Sequence, residues 1–164
     1  MKPQKPVIAL LAFALAVLPA MAADDAGLTR MALCQDSWVE WSKADPARLD
    51  GLGAHIRAGF SPHGNDPYWL PKANVSVAGL RVVQLFPHSV GMGVGLSLTV
   101  DATFDDARRI IEKALGRQLG KCEAGEGMKN CELEIAPQRT VVLMAEDSPR
   151  SHQALIGCYY FYEK

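Results

Sequence analysis

A chain of 164 residues with 17 basic and 18 acidic side chains carries a formal net charge of −1. No basic block interrupts that balance, so the electrostatic footprint that nucleic acid or anionic lipid requires is missing, and both partners are discounted. No stretch beyond the N-terminal segment is long and apolar enough to span a bilayer.

That segment places Lys2 and Lys5 before an apolar run from Val7 to Leu18, followed by Pro19 and Ala20-Met21-Ala22. Basic, apolar and small-residue regions in this order read as a secretory signal peptide over residues 1–22, cleaved after Ala22. As a helix the run rises only about 18 Å against a hydrocarbon core of about 30 Å, which makes a membrane anchor the poorer reading. A lipoprotein is disfavoured as well. Leu33 before Cys34 is not a small residue, and Asp24, Asp25 and Arg30 separate that cysteine from the apolar run. The mature part, residues 23–164, is expected to be a single domain in the periplasm or secreted, with net charge −3 once Lys2 and Lys5 are gone.

Along the mature chain, Leu28, Met31, Cys34, Trp38 and Trp41 recur at helical spacing, which predicts a first helix with Cys34 facing the core. Asp45-Pro46 offers a cap for a second helix through Leu49, Leu52 and Ile56 to Gly59, weakened by Gly51 and Gly53. The proline-rich stretch Phe60 to Ala73 predicts a loop without regular structure. Two strands are expected over Val75 to Phe86 and Met92 to Val100, the second with clean period-two alternation. Thr103 and Asp106 resemble a capping pair, opening an amphipathic helix through Phe104, Ala107, Ile110, Ile111, Ala114 and Leu115 that Gly116 stops. Two further strands are expected over Glu132 to Ala145, with a bulge, edge or break at Pro137, and over Ala154 to Tyr162. The order implies an α+β fold: a mainly antiparallel four-stranded sheet (ββαββ) with N-terminal helices and one amphipathic helix packed on it, stapled by disulfides.

The four cysteines all lie in the mature part, and an even number in a secreted chain predicts two bridges. Cys122 and Cys131 bracket a polar, glycine-containing stretch able to turn back on itself, which favours Cys122–Cys131 and leaves Cys34–Cys158. In the chain-entropy picture the short bridge contributes about 2–3 kcal/mol and the long one roughly 4–5 kcal/mol. Zinc is the competing use, but no Cys-x-x-Cys pair occurs.

Gly91-Met92-Gly93-Val94-Gly95 alternates inside a strand instead of opening onto a helix, so it reads as a smooth strand face rather than a phosphate loop. His55, His63, His88 and His152 have no metal-ligand spacing, and neither a metal nor a cofactor is expected. No G-x-S-x-G elbow places a nucleophile. Two loops are candidate binding surfaces: His63, Asn65, Asp66, Tyr68 and Trp69 in the proline-rich stretch, and Glu123, Glu126, Met128 and Lys129 in the cysteine-closed loop. The plainer alternatives are aromatics folded back to cap the core, and a hairpin staple without a partner. If Cys158 faces the core, Tyr159 and Phe161 point to the other side, where an uncovered aromatic patch would suggest a contact surface and a second helix covering that face is the plainer explanation.

These readings favour a small non-enzymatic protein-binding domain with a protein partner in the cell envelope, an inhibitor of or immunity protein against a cell-wall hydrolase or secreted toxin. In plan the chain is similar to small periplasmic lysozyme inhibitors, which also present constrained loops, although no motif carries that likeness. The alternatives are a small periplasmic hydrolase using His63, Asp66 and His88, and an envelope ligand carrier with an apolar cradle at the glycine face.

Overall fold

Alternation puts Leu96, Leu98 and Val100 on one side of an extended backbone and Gly95, Ser97 and Thr99 on the other. In the computed structural model, which describes residues 23–36, 54–86 and 93–161, this segment lies near the middle of a large sheet. The described elements are β1 (Ala23–Asp24), α1 (Ala26–Ala32), α2 (Ala54–Gly59), β2 (Phe60–Pro62), β3 (Trp69–Pro71), β4 (Val75–Val77), β5 (Leu80–Phe86), β6 (Gly93–Asp101), α3 (Phe104–Leu115), β7 (Lys121–Gly125), β8 (Met128–Ala136), β9 (Arg139–Glu146) and β10 (Gln153–Phe161). The expected signal peptide, Trp38, Trp41, the first part of the expected second helix, His88, Gly91, Met92 and Tyr162 lie outside the described residues.

The α+β class is as expected, but the sheet is not four-stranded. Ten strands run in the order β1-β4-β5-β6-β10-β9-β8-β7, with β3 also on β5 and β2 on β3. Nine of them pair antiparallel, and β1 joins β4 in parallel. Two of the expected long strands are hairpins. The run from Val75 to Phe86 turns at Ala78-Gly79, both at positive φ, and the run from Glu132 to Ala145 turns at Pro137-Gln138, where Gln138 has φ 65°. A two-residue turn with both φ positive matches the right-handed twist of the strands it joins.

The proline-rich stretch also holds strands, contrary to expectation. Phe60 pairs with Pro71 and Pro62 with Trp69. Both prolines close their strands, where a missing amide costs the ladder least. The cysteine-closed stretch is likewise a hairpin: Cys122 lies directly opposite Cys131, and Glu126-Gly127 turns at φ 54° and 78°.

One face of the sheet carries Leu96, Leu98 and Val100 of β6, Val141, Leu143 and Ala145 of β9, and Ala154, Ile156 and Cys158 of β10. On it pack Leu28, Met31 and Ala32 of α1 and Ala107 and Ile111 of α3. Burying the valine, leucine, isoleucine and methionine side chains among them contributes roughly 1.5–3 kcal/mol each. The ends of α3 fall where the sequence places them. The Thr103 hydroxyl oxygen accepts from the Asp106 amide at 3.2 Å, and Gly116 closes the helix at φ 64°. The Thr103 hydroxyl in turn donates to the Asp106 carboxylate at 2.9 Å, a role that suits Asp at a position usually held by Glu or Gln.

The first helix is shorter than its periodicity suggests. It ends at Ala32, and Cys34 takes φ 57° while its amide and that of Gln35 reach back to the Met31 and Arg30 carbonyls at 3.2 and 2.8 Å. This is a Schellman closure with cysteine at the position that glycine usually fills. Cys34 is still buried, and it is bonded to Cys158 across a sequence separation of 124. The second bridge joins Cys122 and Cys131, so both pairings are those that spacing favoured.

Candidate functional site

The first candidate surface is the turn between β2 and β3. His63 and Tyr68 close it, the His63 amide donating to the Tyr68 carbonyl at 3.3 Å and the Asp66 amide to the His63 carbonyl at 3.0 Å. Gly64 supplies φ 57° inside it. The closure brings side chains together: His63 Nδ1 donates to Asp66 Oδ2 at 2.8 Å, and the imidazole stacks on Tyr68 with centroids 5.2 Å apart. Tyr68 in turn lies 5.9 Å from Phe86 of β5. The His63 hydrogen bond, aided by one from Tyr68, holds the Asp66 carboxyl below its usual range, and the same carboxylate pushes the Tyr68 hydroxyl up. His63, Asn65 and Asp66 are exposed and Tyr68 half-buried. Trp69 leaves the group: it is 9% exposed and packs in the core with the Arg57 guanidinium 6.0 Å from its ring. Of the two expected roles for the aromatics, Trp69 caps the core and Tyr68 stays at the surface.

The second candidate surface is the β7–β8 hairpin, at the opposite end of the sheet from the first. Two restraints fix its tip besides the bridge. The Asp147 amide donates to the Gly127 carbonyl at 2.7 Å, and Lys129 Nζ meets Asp147 Oδ1 at 3.1 Å. Lys129 is therefore engaged with the β9–β10 connection, whereas Glu123, Glu126 and Met128 line a recess of about 270 Å³ together with Asn130. Met128 is 43% exposed and also borders a second hollow, of about 260 Å³, with Thr99, Met144 and Leu155. A flexible thioether between an acidic hollow and a mostly apolar one suits contact with an uneven partner surface.

Sequence reasoning missed how the sheet face opposite the core is closed around Tyr159. Tyr159, opposite Gly95 in register, is 6% exposed, and its hydroxyl is hydrogen-bonded to the buried Ser97 at 3.0 Å. Burial raises the Tyr159 hydroxyl, against a smaller lowering by Ser97. Tyr159 therefore forms no exposed aromatic patch. The glycine side is where strands approach closely: a Cβ on Gly95 would stand 2.2 Å from the Cys158 carbonyl oxygen, and one on Gly157 would lie 3.2 Å from the Tyr159 ring. Period two already put Ser97 opposite the core, and a serine there was the available signal for a polar partner from β10.

Among the described residues no group of three or more His, Cys, Asp or Glu is placed to hold a metal ion, and no helix is long and apolar enough to cross a membrane. His152 is exposed, and the Ser151 hydroxyl donates to the Gln153 carbonyl at 3.3 Å. Comparison of the chain with protein-family models, with curated proteins and with solved structures finds no match, so its chemistry has to be read from the geometry above.

Proposed function

We propose that this chain is an extracytoplasmic, non-enzymatic protein-binding domain, an inhibitor of or immunity protein against a cell-wall hydrolase or secreted toxin, and that it binds with the β7–β8 hairpin. The single observation that carries this reading is the pre-formed tip. Met128 stands exposed between two hollows on a hairpin held by a disulfide, a two-residue turn and the Asp147 contacts. A tip ordered before docking loses little entropy on binding, so more of its contact energy appears as affinity. Glu123 and Glu126 beside it suit a partner whose cleft is basic.

The test is hydrolysis of purified cell wall by muramidases, amidases and secreted toxins of the host and its competitors, with and without the protein. At least one enzyme should be inhibited, and Met128→Ala or Glu126→Arg should weaken that inhibition about tenfold, about 1.4 kcal/mol. Full hydrolysis by every enzyme at micromolar protein sinks the reading.

A second reading has one specific observation in its favour. The 2.8 Å contact of His63 with Asp66 is the pair a small hydrolase would use as base and orienting carboxylate. Turnover of any ester or peptide substrate that disappears in His63→Ala would support it, and turnover indifferent to that change would remove it.

A further inference from the structure

The two disulfides present very different targets to an attacking thiol. In Cys34–Cys158 both residues are buried, at 1% and 0% exposure, between α1 and the centre of the sheet. In Cys122–Cys131 only one is: Cys131 is fully buried on β8, facing Leu143 of β9 in register, while Cys122 is exposed on β7. Thiol–disulfide exchange needs the incoming thiolate to reach one sulfur from the side opposite the bond it breaks, so access decides which bond exchanges and which sulfur is attacked.

The strand that holds Cys122 is the outermost on its side of the sheet. Among the described strands β7 pairs with β8 alone, over Lys121 to Gly125, and residues 122–125 are all exposed. The side chains of residues 122–125 therefore bury little on either face. A strand without buried apolar side chains opens at low free energy once its crosslink is gone.

From access and local fold together we infer that Cys122 is a thiol-exchange site whose substrate is a dithiol, and that its reaction frees β7 without unfolding the rest of the sheet. One thiolate of the dithiol attacks Cys122 Sγ, a new S–S bond forms there, and the bond to Cys131 breaks. Cys131 leaves as a thiolate and takes up a proton. The second thiol of the dithiol then displaces Cys122, which leaves as a thiol, and the dithiol closes to its own disulfide. Two electrons and two protons pass from the dithiol to the protein. Cys131 is left as a thiol in the core, where it is inert, and Cys122 is left on a frayed edge. This inference stands whether or not the hairpin is a binding surface, because it rests on sulfur access and on the pairing of β7.

Trypsin cuts after Arg30, Lys121, Lys129 and Arg150 and so leaves each cysteine in its own peptide. Native oxidised protein is incubated without denaturant in graded dithiothreitol for timed intervals, quenched with acid, alkylated in denaturant so that every free thiol is read, digested and weighed. Cys122 and Cys131 should be alkylated at least about tenfold faster than Cys34 and Cys158. Equal rates, or earlier opening of Cys34–Cys158, overturn the inference. With glutathione as a monothiol probe the adduct should be on Cys122 with Cys131 alkylated, and the reverse distribution overturns the direction of attack. Hydrogen exchange on the partly reduced protein should show β7 amides losing protection while β6, β9 and β10 keep theirs. Loss of protection across all four strands overturns the claim that release is local.

Discussion

Around Gly157 to Tyr159 the sheet is closed on both faces, by α1 and the core on one and by the Tyr159 ring with Ser97 on the other; along β7 it is open on both. The same covalent bond therefore has different work in the two regions. Cys34–Cys158 ties a helix cap to a strand that packing already fixes, and it spans most of the chain. Cys122–Cys131 supplies order to a hairpin end that packing does not reach. Rigidity at the centre is collective, while rigidity at the edge is local and depends on a few named contacts.

The comparison breaks most visibly if the two bonds prove equivalent. Replacing both Cys34 and Cys158 by serine should cost about 4–5 kcal/mol, read by denaturant unfolding, and a loss below about 1 kcal/mol would contradict the role given to the long bridge. Next in size, Leu143→Ala at the buried centre should cost between about 2 and 5 kcal/mol, with Met128→Ala on the hairpin near zero by the same measurement. Glycine sharpens the contrast further. Gly95→Ala drives a methyl against the Cys158 carbonyl and should cost about 1–3 kcal/mol, whereas Gly125→Ala on β7 meets nothing within 4 Å and should stay within about 0.5 kcal/mol.

The smallest effect is at the other exposed end, the β2–β3 turn. Asp66 has its folded-state acidity strengthened by His63, so its contribution is present above the unfolded aspartate value and is lost as pH falls through the lower folded one. An NMR titration of the Asp66 carboxyl should find it below the usual aspartate range, and His63→Gln should bring it back up. No movement in that variant would mean the contact does not govern the carboxyl.

Much of the centre was legible in the residues. Alternation marked β6, Thr103 and Gly116 bounded α3, and cysteine spacing gave both bridges. The four-stranded count failed for two reasons: prolines close short strands inside the stretch that reads as a loop, and residues other than glycine make turns elsewhere. Cys34, Ala78, Glu126 and Gln138 all adopt positive φ, a region that non-glycine residues enter at a cost and that leaves little mark in their identity. Ala78-Gly79 therefore hid a turn inside what read as a single strand and Cys34 hid the end of α1, whereas Pro137 marked the break where β8 turns into β9. At the candidate surfaces, the i, i+3 pairing of His63 with Asp66 was readable, and so was the closed hairpin. That Trp69 would bury and Lys129 would bind Asp147 depended on strands distant in sequence.

The order of strands has a consequence for biogenesis. β10 follows every other described strand along the chain, yet it lies between β6 and β9 and among the described strands alone bridges the two halves of the sheet. A nascent chain that has emerged only as far as β9 holds two sheet fragments with adhesive margins and a Cys34 thiol lacking its mate. High contact order of this kind makes for slow acquisition of the native state and a long window for misassociation. The sheet is completed only when Gln153–Phe161 inserts, and the native Cys34–Cys158 bond has both its sulfurs in place only from that moment.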